Sequence, residues 1–185
     1  MVNMDKPEGT MFMVQENSLV YDARNLISSV AITKGFDRVL WLDSDMKFEP
    51  DLLERLNADM DQGLDFVSGL YCTRKRPVMP CVYSAIRYGE IDGKFVSERD
   101  PVTNIPVGLF EIAGAGFGGV MTSTKLLKDV WEAYGQPFAP LYRLGEDLSF
   151  CWRVSQLGYK MYCDSNVLLG HIGSYIYNVN LKEAE

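Results

Sequence analysis

The sequence predicts an α/β protein in which helices pack against a parallel β-sheet. Apolar residues make up 47% of its 185 residues, which is enough to build a core from both sheet and helices. Between residues 11 and 72, short apolar runs alternate with segments of helical periodicity in the order β-α-β-α-β. Gly35, Pro50 and Gly63 stand at the predicted helix ends, where these residue types are favoured.

In the first half of the chain, apolar spacing separates helices from strands. Leu26, Ile27, Val30 and Ala31 would share one face of a helix over residues 21–35. By the same criteria, a second helix is predicted at 49–63. Strands are predicted at 11–20, 38–42 and 65–72.

The second half begins with a basic, proline-punctuated loop at 73–80. A hairpin follows at 81–98, with its turn near Asp92-Gly93. A strand interrupted by glycines is predicted at 109–123, and helices are predicted at 124–135 and 145–158, the first capped by Ser123 or Thr124. A strand at 159–165 and an irregular tail complete one domain over 1–185. Residues 1–10 are expected to be a flexible leader and 174–185 a tail.

Composition excludes several partners and locations. Lys plus Arg is 18 and Asp plus Glu is 25, so the formal charge is 18 − 25 = −7, which disfavours nucleic acid and anionic membranes. No signal peptide or transmembrane run is visible, and the four cysteines contain no CxxC pair. We therefore expect a cytoplasmic protein with reduced cysteines, and homo-oligomerisation stays open.

The segment RVLWLDSDMKF, residues 38–48, ends an apolar strand with Asp43 and Asp45. Ligands of open α/β sheets bind beyond the carboxyl ends of strands. Because side chains alternate along a strand, both carboxylates could point at one hard cation such as Mg²⁺ or Mn²⁺. Equally, Asp43 could cap a turn while Asp45 is solvated. The tripeptide alone leaves these two interpretations balanced.

Two further features carry candidate chemistry. Glu146-Asp147 opens a predicted helix, where acidic residues usually complement the helix dipole but could also supply a general base. His171, the single histidine, lies between glycines in LLGHIG and could ligate a metal. A lone histidine is more often structural. The functional interpretation therefore depends on the order in which the DxD, Glu146-Asp147 and His171 follow one another.

In that order, the sequence resembles the nucleotide-sugar half of GT-A glycosyltransferases, in the group similar to bacterial and phage family 2 enzymes. The resemblance is carried by DARNLISSVAITKGFDRVLWLDSDMKFEPDLLERL, GAGFGGVMTSTKLLKDV and GEDLSFCWRVSQLGYKMYCDSNVLLGHIG, and it spans roughly residues 20–173. It implies a GT-A, Rossmann-like fold, with a mixed sheet and helices on both faces. About twenty residues precede the ARN helix, so the fold is expected to be shortened at its N-terminus, where the family binds the base.

The resemblance also implies a donor site. Asp45 would bind a Mn²⁺ or Mg²⁺ ion that bridges the donor diphosphate, and Asp43 would contact the ribose or the ion. His171 would complete the metal site, and Arg24 would lie near the nucleotide. Gly116 belongs to the Gly114–Gly119 segment, which would form a wall beside the donor sugar.

The implied reaction moves a hexose from a UDP- or GDP-sugar to a hydroxyl of a glycan, lipid or protein. The cation would stabilise the leaving diphosphate. Asp147, with Glu146 as substitute, matches the acid that takes the acceptor proton or binds the acceptor. Retention or inversion at the anomeric carbon is left open.

Parts of the sequence also match other classes of protein. GAGFGG matches a dinucleotide fingerprint, but VMTS separates it from the next helix, which excludes that assignment. Haloacid-dehalogenase-like phosphatases also follow an apolar strand with DxD, and Lys125 or Lys128 could serve as their catalytic lysine. A non-catalytic nucleotide-sugar-binding GT-A remnant is a third candidate. The basic run Arg74–Arg76 could bind phosphate or an anionic acceptor, although a solvated loop is favoured.

Overall fold

The structure is a computed structural model that describes residues 4–173 and 176–177. Its helices are α1 (Val20–Lys34), α2 (Leu52–Met60), α3 (Thr124–Tyr134) and α4 (Glu146–Gln156). Its strands are β1 (Arg38–Trp41), β2 (Met46–Lys47), β3 (Phe66–Leu70), β4 (Val82–Ile91), β5 (Lys94–Pro101), β6 (Leu109–Ile112), β7 (Gly114–Ala115), β8 (Val120–Ser123), β9 (Met161–Leu168), β10 (Gly170–Ile172) and β11 (Ile176–Tyr177).

The central sheet has the order β1-β8-β3-β9-β6. Strand β8 runs antiparallel to both of its neighbours, so β1 and β3 point the same way without touching. Strand β9 is parallel to β3, and β6 is antiparallel to β9. The parallel sheet expected from the β-α-β-α-β order is therefore wrong, because β8 is inserted between the first two parallel strands. The mixed sheet is confirmed.

Helices cover both faces of this sheet, as expected. In β3, Phe66 packs into a core that includes α3 and α4, whereas its neighbour Val67 packs against α2. Val120 and Met121 of β8 divide between the same two cores. Because side chains alternate between the two faces of a strand, neighbouring residues of β3 and β8 pack into the cores on opposite faces of the sheet.

Local signals place several boundaries where the sequence predicted them. Helix α1 ends at Gly35, whose φ of 71° lies in the left-handed region. Helix α3 begins after Ser123, whose side chain accepts a hydrogen bond from Leu126 N at 3.0 Å. Asp92 and Gly93 both have positive φ, which suits the tight turn between β4 and β5.

Other predicted elements differ. Residues 11–18 form no strand, and the stretch 109–123 contains three strands, β6, β7 and β8, of which β7 joins the sheet of the hairpin. The tail is more ordered than predicted up to residue 173, because β10 pairs with β2. The rest of the predicted tail, apart from β11, lies outside the described residues. Among residues 4–173 and 176–177, no helix has the length and apolar character needed to cross a bilayer.

Candidate active site

Asp43 and Asp45 lie in the turn that joins β1 to β2. Strand β1 ends at Trp41, and Met46 N donates to Asp43 O at 3.3 Å across the turn. The alternation of a continuous strand, which was expected to aim both carboxylates at one point, therefore does not apply. Each carboxylate has its own set of partners.

Arg24 connects the first carboxylate to the start of α4. Its Nη2 donates to Asp43 Oδ1 at 3.0 Å, and its Nη1 donates to Glu146 Oε1 at 2.9 Å. The side chain is only 8% exposed, and the guanidinium carbon lies 5.0 Å from the centre of the Phe117 ring and 5.9 Å from that of Phe138. One buried cation thus brings together three separate segments of the chain.

Burial raises the pKa of Asp43 above its ordinary value. The Arg24 guanidinium opposes this effect, while Asp45 and Glu146 add repulsion that raises the pKa further. A cation placed beside this carboxylate would stabilise its charged form.

Asp45 contacts two groups from other segments. Its Oδ2 lies 2.8 Å from Arg74 Nη1 and 3.4 Å from His171 Nε2. Strand β10 brings His171 there, because His171 pairs with Met46 of β2. Ile172 N also donates to Asp45 O at 2.7 Å, which ties the turn to β10.

The hydrogen bonding of His171 bears on metal binding. Its Nδ1 lies 2.9 Å from Cys72 O, and since a carbonyl only accepts, Nδ1 must carry a hydrogen. In the neutral ring, Nε2 is then an acceptor that faces the Asp45 carboxylate. Two facing acceptors repel each other unless a positive charge lies beside them, and a metal ion would supply such a charge. Metal-bound histidines commonly donate their other N–H to a carbonyl in this way.

The spacing of this pair is also compatible with an ion. Two ligand atoms at about 2.1 Å from one ion stand roughly 3–3.4 Å apart. Carboxylate oxygen with imidazole nitrogen suits Mn²⁺ well. Asp45 and His171 therefore fit a divalent ion. Within residues 4–173 and 176–177, no three His, Cys, Asp or Glu side chains are grouped closely enough to hold one, and Asp43 is turned towards Arg24.

Glu146 and Asp147 occupy the first turn of α4 and face different partners. Glu146 is bound to Arg24, as described above. Asp147 Oδ1 accepts from Leu148 N at 2.7 Å, and Oδ2 is directed at Gly116, 3.6 Å from where a Cβ would lie. Burial raises the pKa of Asp147. Asp147 is thus a half-buried carboxylate whose second oxygen faces the glycine segment.

The Gly114–Gly119 segment packs tightly beside these groups. A Cβ on Gly116 would lie 2.1 Å from Tyr71 Oη, and one on Gly118 would lie 2.9 Å from Met46 Sδ. Gly118 N donates to Tyr71 Oη at 3.2 Å. These glycines are needed for close approach, since a side chain at either position would displace Tyr71 or Met46.

A cavity of about 1460 Å³ extends from Asp43 along β1. Arg24, Asp43 and Ser44 line it at the turn, and residues 6–15 form one of its walls. Its size exceeds that of typical small-molecule pockets, which hold drug-sized ligands. The cavity adjoins the carboxylate turn, so a ligand bound at the turn could continue into it.

The site contains groups that sequence analysis missed. The sequence pattern places Tyr71, which directly follows β3, only in a strand, and it favours a solvated loop for Arg74. Phe117 and Phe138, on which Arg24 rests, were not singled out. The TRKRP run at least marked Arg74 as unusual in an acidic chain.

Comparison with known proteins gives a fold but no family. No protein-family model matches the chain, and no curated protein matches it significantly. The crystal structure of A197 from STIV is similar, with a TM-score of 0.59 and 20% identity, over 89% of this chain and 78% of that one. That of apo-UDP-glucose pyrophosphorylase has a TM-score of 0.46 and 10% identity, over 89% of this chain and 55% of that one. The first likeness shows a shared fold, and the second is too distant to support a conclusion.

Proposed function

We propose that the protein is a metal-dependent glycosyltransferase of the GT-A type, moving a sugar from a nucleotide-diphosphate sugar to an acceptor hydroxyl. The observation that carries this proposal is the double contact of Arg24 with Asp43 and Glu146. Through it, the turn with two carboxylates and the acidic start of α4 form one connected site. The turn with two carboxylates would serve donor binding, and the acidic start of α4 would serve acceptor activation.

On the donor side, Asp45 and His171 would hold Mn²⁺ or Mg²⁺. When bound, such an ion stabilises the negative charge that develops on the leaving diphosphate. Arg24 keeps Asp43 beside this position, and Cys72 O orients the His171 ring. The nucleoside would extend into the cavity next to Asp43 and Ser44.

On the acceptor side, Asp147 would accept the hydroxyl proton. Its Oδ1 is held by Leu148 N, which leaves Oδ2 directed at the glycine segment. Burial raises its pKa, and a carboxylate with a raised pKa is a stronger base than an exposed one. Glu146 is less suited to this role because it neutralises Arg24.

The phosphatase alternative receives less support. It requires a lysine that reaches the first carboxylate of the DxD. Lys125 pairs with Asp129 and Lys128 with Glu132, each within α3. Neither lysine contacts Asp43, whose cationic partner is Arg24.

Calorimetry and turnover assays test the proposal. Mn²⁺ and then a panel of UDP- and GDP-sugars are titrated into the protein, and release of nucleoside diphosphate is followed with and without candidate glycan acceptors. We expect Mn²⁺-dependent binding of one sugar nucleotide and slow release of its diphosphate. Asp45→Asn should abolish the Mn²⁺-dependent part of the binding.

Asp100→Asn is a matched control, because Asp100 also pairs with an arginine but lies on the β4–β5 hairpin. Binding unchanged in Asp45→Asn would contradict the assignment of the metal site. Tight binding without diphosphate release or transfer would instead identify a binding protein. Hydrolysis of a generic phosphate ester without sugar-nucleotide turnover would favour the phosphatase.

A further inference from the structure

The loop between β3 and β4 presents three consecutive basic residues, Arg74, Lys75 and Arg76, all exposed. They form the single run of adjacent basic residues in a chain with a formal charge of −7. The base of the loop is closed by the pairing of Cys72 with Pro80. Thr73 N also donates to Met79 O at 2.8 Å. These contacts hold the two ends of the loop in place and do not involve its exposed tip.

Arg74 reaches from this loop into the site. Its Nη1 lies 2.8 Å from Asp45 Oδ2 and 3.3 Å from Ile172 O. The same carboxylate oxygen faces His171 Nε2. Arg74 thus supplies the positive charge that the acceptor pair of Asp45 and His171 requires, and it competes with any metal ion for the Asp45 oxygen.

This ion pair is easily opened. The side chains of Arg74 and Asp45 are 48% and 32% exposed, and half-exposed pairs contribute little to stability. A divalent ion carries twice the charge of the guanidinium and can be bound by Asp45 and His171 at the same time. An ion entering the site would therefore displace Arg74 from Asp45.

We propose that Arg74 is a displaceable cation, which neutralises Asp45 until a divalent ion binds and then turns, with Lys75 and Arg76, to the diphosphate of the nucleotide. This inference rests on the proposed function. The displaced guanidinium remains tethered beside the ion, where the diphosphate would lie. Its planar donors match phosphate oxygens, and the neighbouring basic residues add attraction in an otherwise acidic protein.

The first test measures Mn²⁺ binding alone, by calorimetry and by the electron paramagnetic resonance of free Mn²⁺. Arg74→Gln removes the competitor and should bind Mn²⁺ about three- to fivefold more tightly than the parent protein. Arg76→Gln makes the same change of charge in the same loop and should shift this affinity much less. Arg87→Gln removes an arginine paired with carboxylates on the hairpin and should have no effect.

The second test measures UDP and GDP binding at saturating Mn²⁺. Whichever of UDP and GDP the parent protein binds more tightly should bind Arg74→Gln about tenfold more weakly, because a charge-assisted contact to phosphate is lost. Lys75→Gln and Arg76→Gln should weaken it less. UMP or GMP, which lack the second phosphate, should bind the parent protein and Arg74→Gln alike.

The opposite signs of the two effects distinguish this inference from a general loss of charge or of folding. If the parent protein binds Mn²⁺ and nucleotide but Arg74→Gln leaves the Mn²⁺ affinity unchanged, displacement is overturned while the proposed function stands. If Arg74→Gln binds UDP and GDP as tightly as the parent protein does, or if UMP binding is weakened equally, the proposed contact of Arg74 with the diphosphate is overturned. Absence of Mn²⁺ binding in both proteins would overturn the inference and the proposed function together.

Discussion

Arg24 Nη2 lies 3.0 Å from Asp43 Oδ1, and this contact joins the N-terminal part of α1 to the turn after β1. The same guanidinium binds Glu146 at the start of α4. A short polar side chain could not span these three elements, and the aromatic ring of Phe117 beneath the guanidinium excludes water from one side. Arg24 therefore determines where the acidic groups of the site stand relative to one another.

Replacing Arg24 should lower the stability of the protein. In Arg24→Gln, Asp43 and Glu146 lose their partner, and we expect the free energy of unfolding to fall by about 2–3 kcal/mol, less than for a fully buried pair because both acids are partly exposed. Arg24→Lys should recover part of the loss, since an ammonium retains the charge but not the fork that reaches both acids. Urea denaturation at pH 7 measures both variants.

Arg87→Gln serves as the control for Arg24, because its ion pairs with Glu98 and Asp100 are on the surface of the hairpin. It should leave the urea midpoint nearly unchanged. Equal destabilisation by the two substitutions would mean that the contacts of Arg24 are no more important than those of an exposed pair.

The proposed role of Asp147 as the base predicts that Asp147→Asn lowers the rate of sugar transfer about 10²- to 10⁴-fold while donor binding persists, because an amide cannot accept the acceptor proton. In the parent protein, the proposed transfer activity should fall as the pH decreases through the raised pKa of Asp147, since only the ionised form is a base. This acid limb should therefore lie above the pH expected for an ordinary Asp, about 3.9. Transfer rates between pH 4 and 8 at saturating donor measure it.

Glu132→Gln, on the surface of α3, is a suitable control for Asp147→Asn and should retain full activity. Glu146→Gln should instead affect stability through Arg24 and reduce the rate less than Asp147→Asn does. A larger rate loss in Glu146→Gln than in Asp147→Asn would reverse the assignment of the two acids.

The elements that the sequence predicted well depend on local chemistry. Gly35 ends α1, Ser123 caps α3 and Asp92-Gly93 forms the hairpin turn, and each signal lies within a few residues of the feature it determines. Insertion of β8 between β1 and β3 depends instead on pairing between distant residues, such as Leu40 with Met121. The apolar periodicity within one segment does not show which distant strand that segment pairs with.

The site shows the same division between local and distant information. The sequence order places the acidic motifs in one predicted site, but it does not show that Asp43 and Asp45 face different partners. Those partners come from Arg24, Arg74 and the pairing of β10 with β2, all far away in sequence. Tyr71 escaped notice because an aromatic residue at a strand end is most simply a core residue.

Gly116→Ala should displace Tyr71 and, through it, the rest of the Gly114–Gly119 segment beside Asp147. The new Cβ would lie 2.1 Å from Tyr71 Oη and 3.2 Å from its Cζ, so the ring has to move. We expect a loss of about 1–3 kcal/mol in the free energy of unfolding, as for other overpacked sites. Thermal and urea denaturation would measure the loss, and donor binding would show whether the site is altered.

A double-mutant cycle isolates the contact between Gly116 and Tyr71. Tyr71→Phe removes the hydroxyl that the new methyl would meet, at the cost of the hydrogen bond from Gly118 N. The double variant Gly116→Ala/Tyr71→Phe should therefore be more stable than the sum of the two single losses predicts. Simple additivity would show that Tyr71 Oη is not the group that excludes a side chain at position 116.

Asp59 lies in α2, outside the candidate site, and its side chain is buried. Its carboxyl group leads to a prediction about stability. Within the described residues, its Oδ2 has no hydrogen-bond partner, and Gln62 Nε2 is 3.5 Å from Oδ1. Burial, with some repulsion from Asp164, raises the pKa of Asp59 to about 6. The folded protein therefore holds this proton more tightly than the unfolded chain, whose Asp titrates near pH 3.9.

Since the folded state binds the extra proton, the Asp59 carboxyl should lower the free energy of unfolding as the pH rises from about 4 to 6, after which its effect is constant. Asp59→Asn removes the charge that has to be buried, so it should stabilise the protein by about 1–2 kcal/mol at pH 8 and give no gain at pH 4. Urea denaturation at the two pH values measures this difference. A gain of equal size at both pH values would mean that Asp59→Asn acts through packing and not through the buried charge.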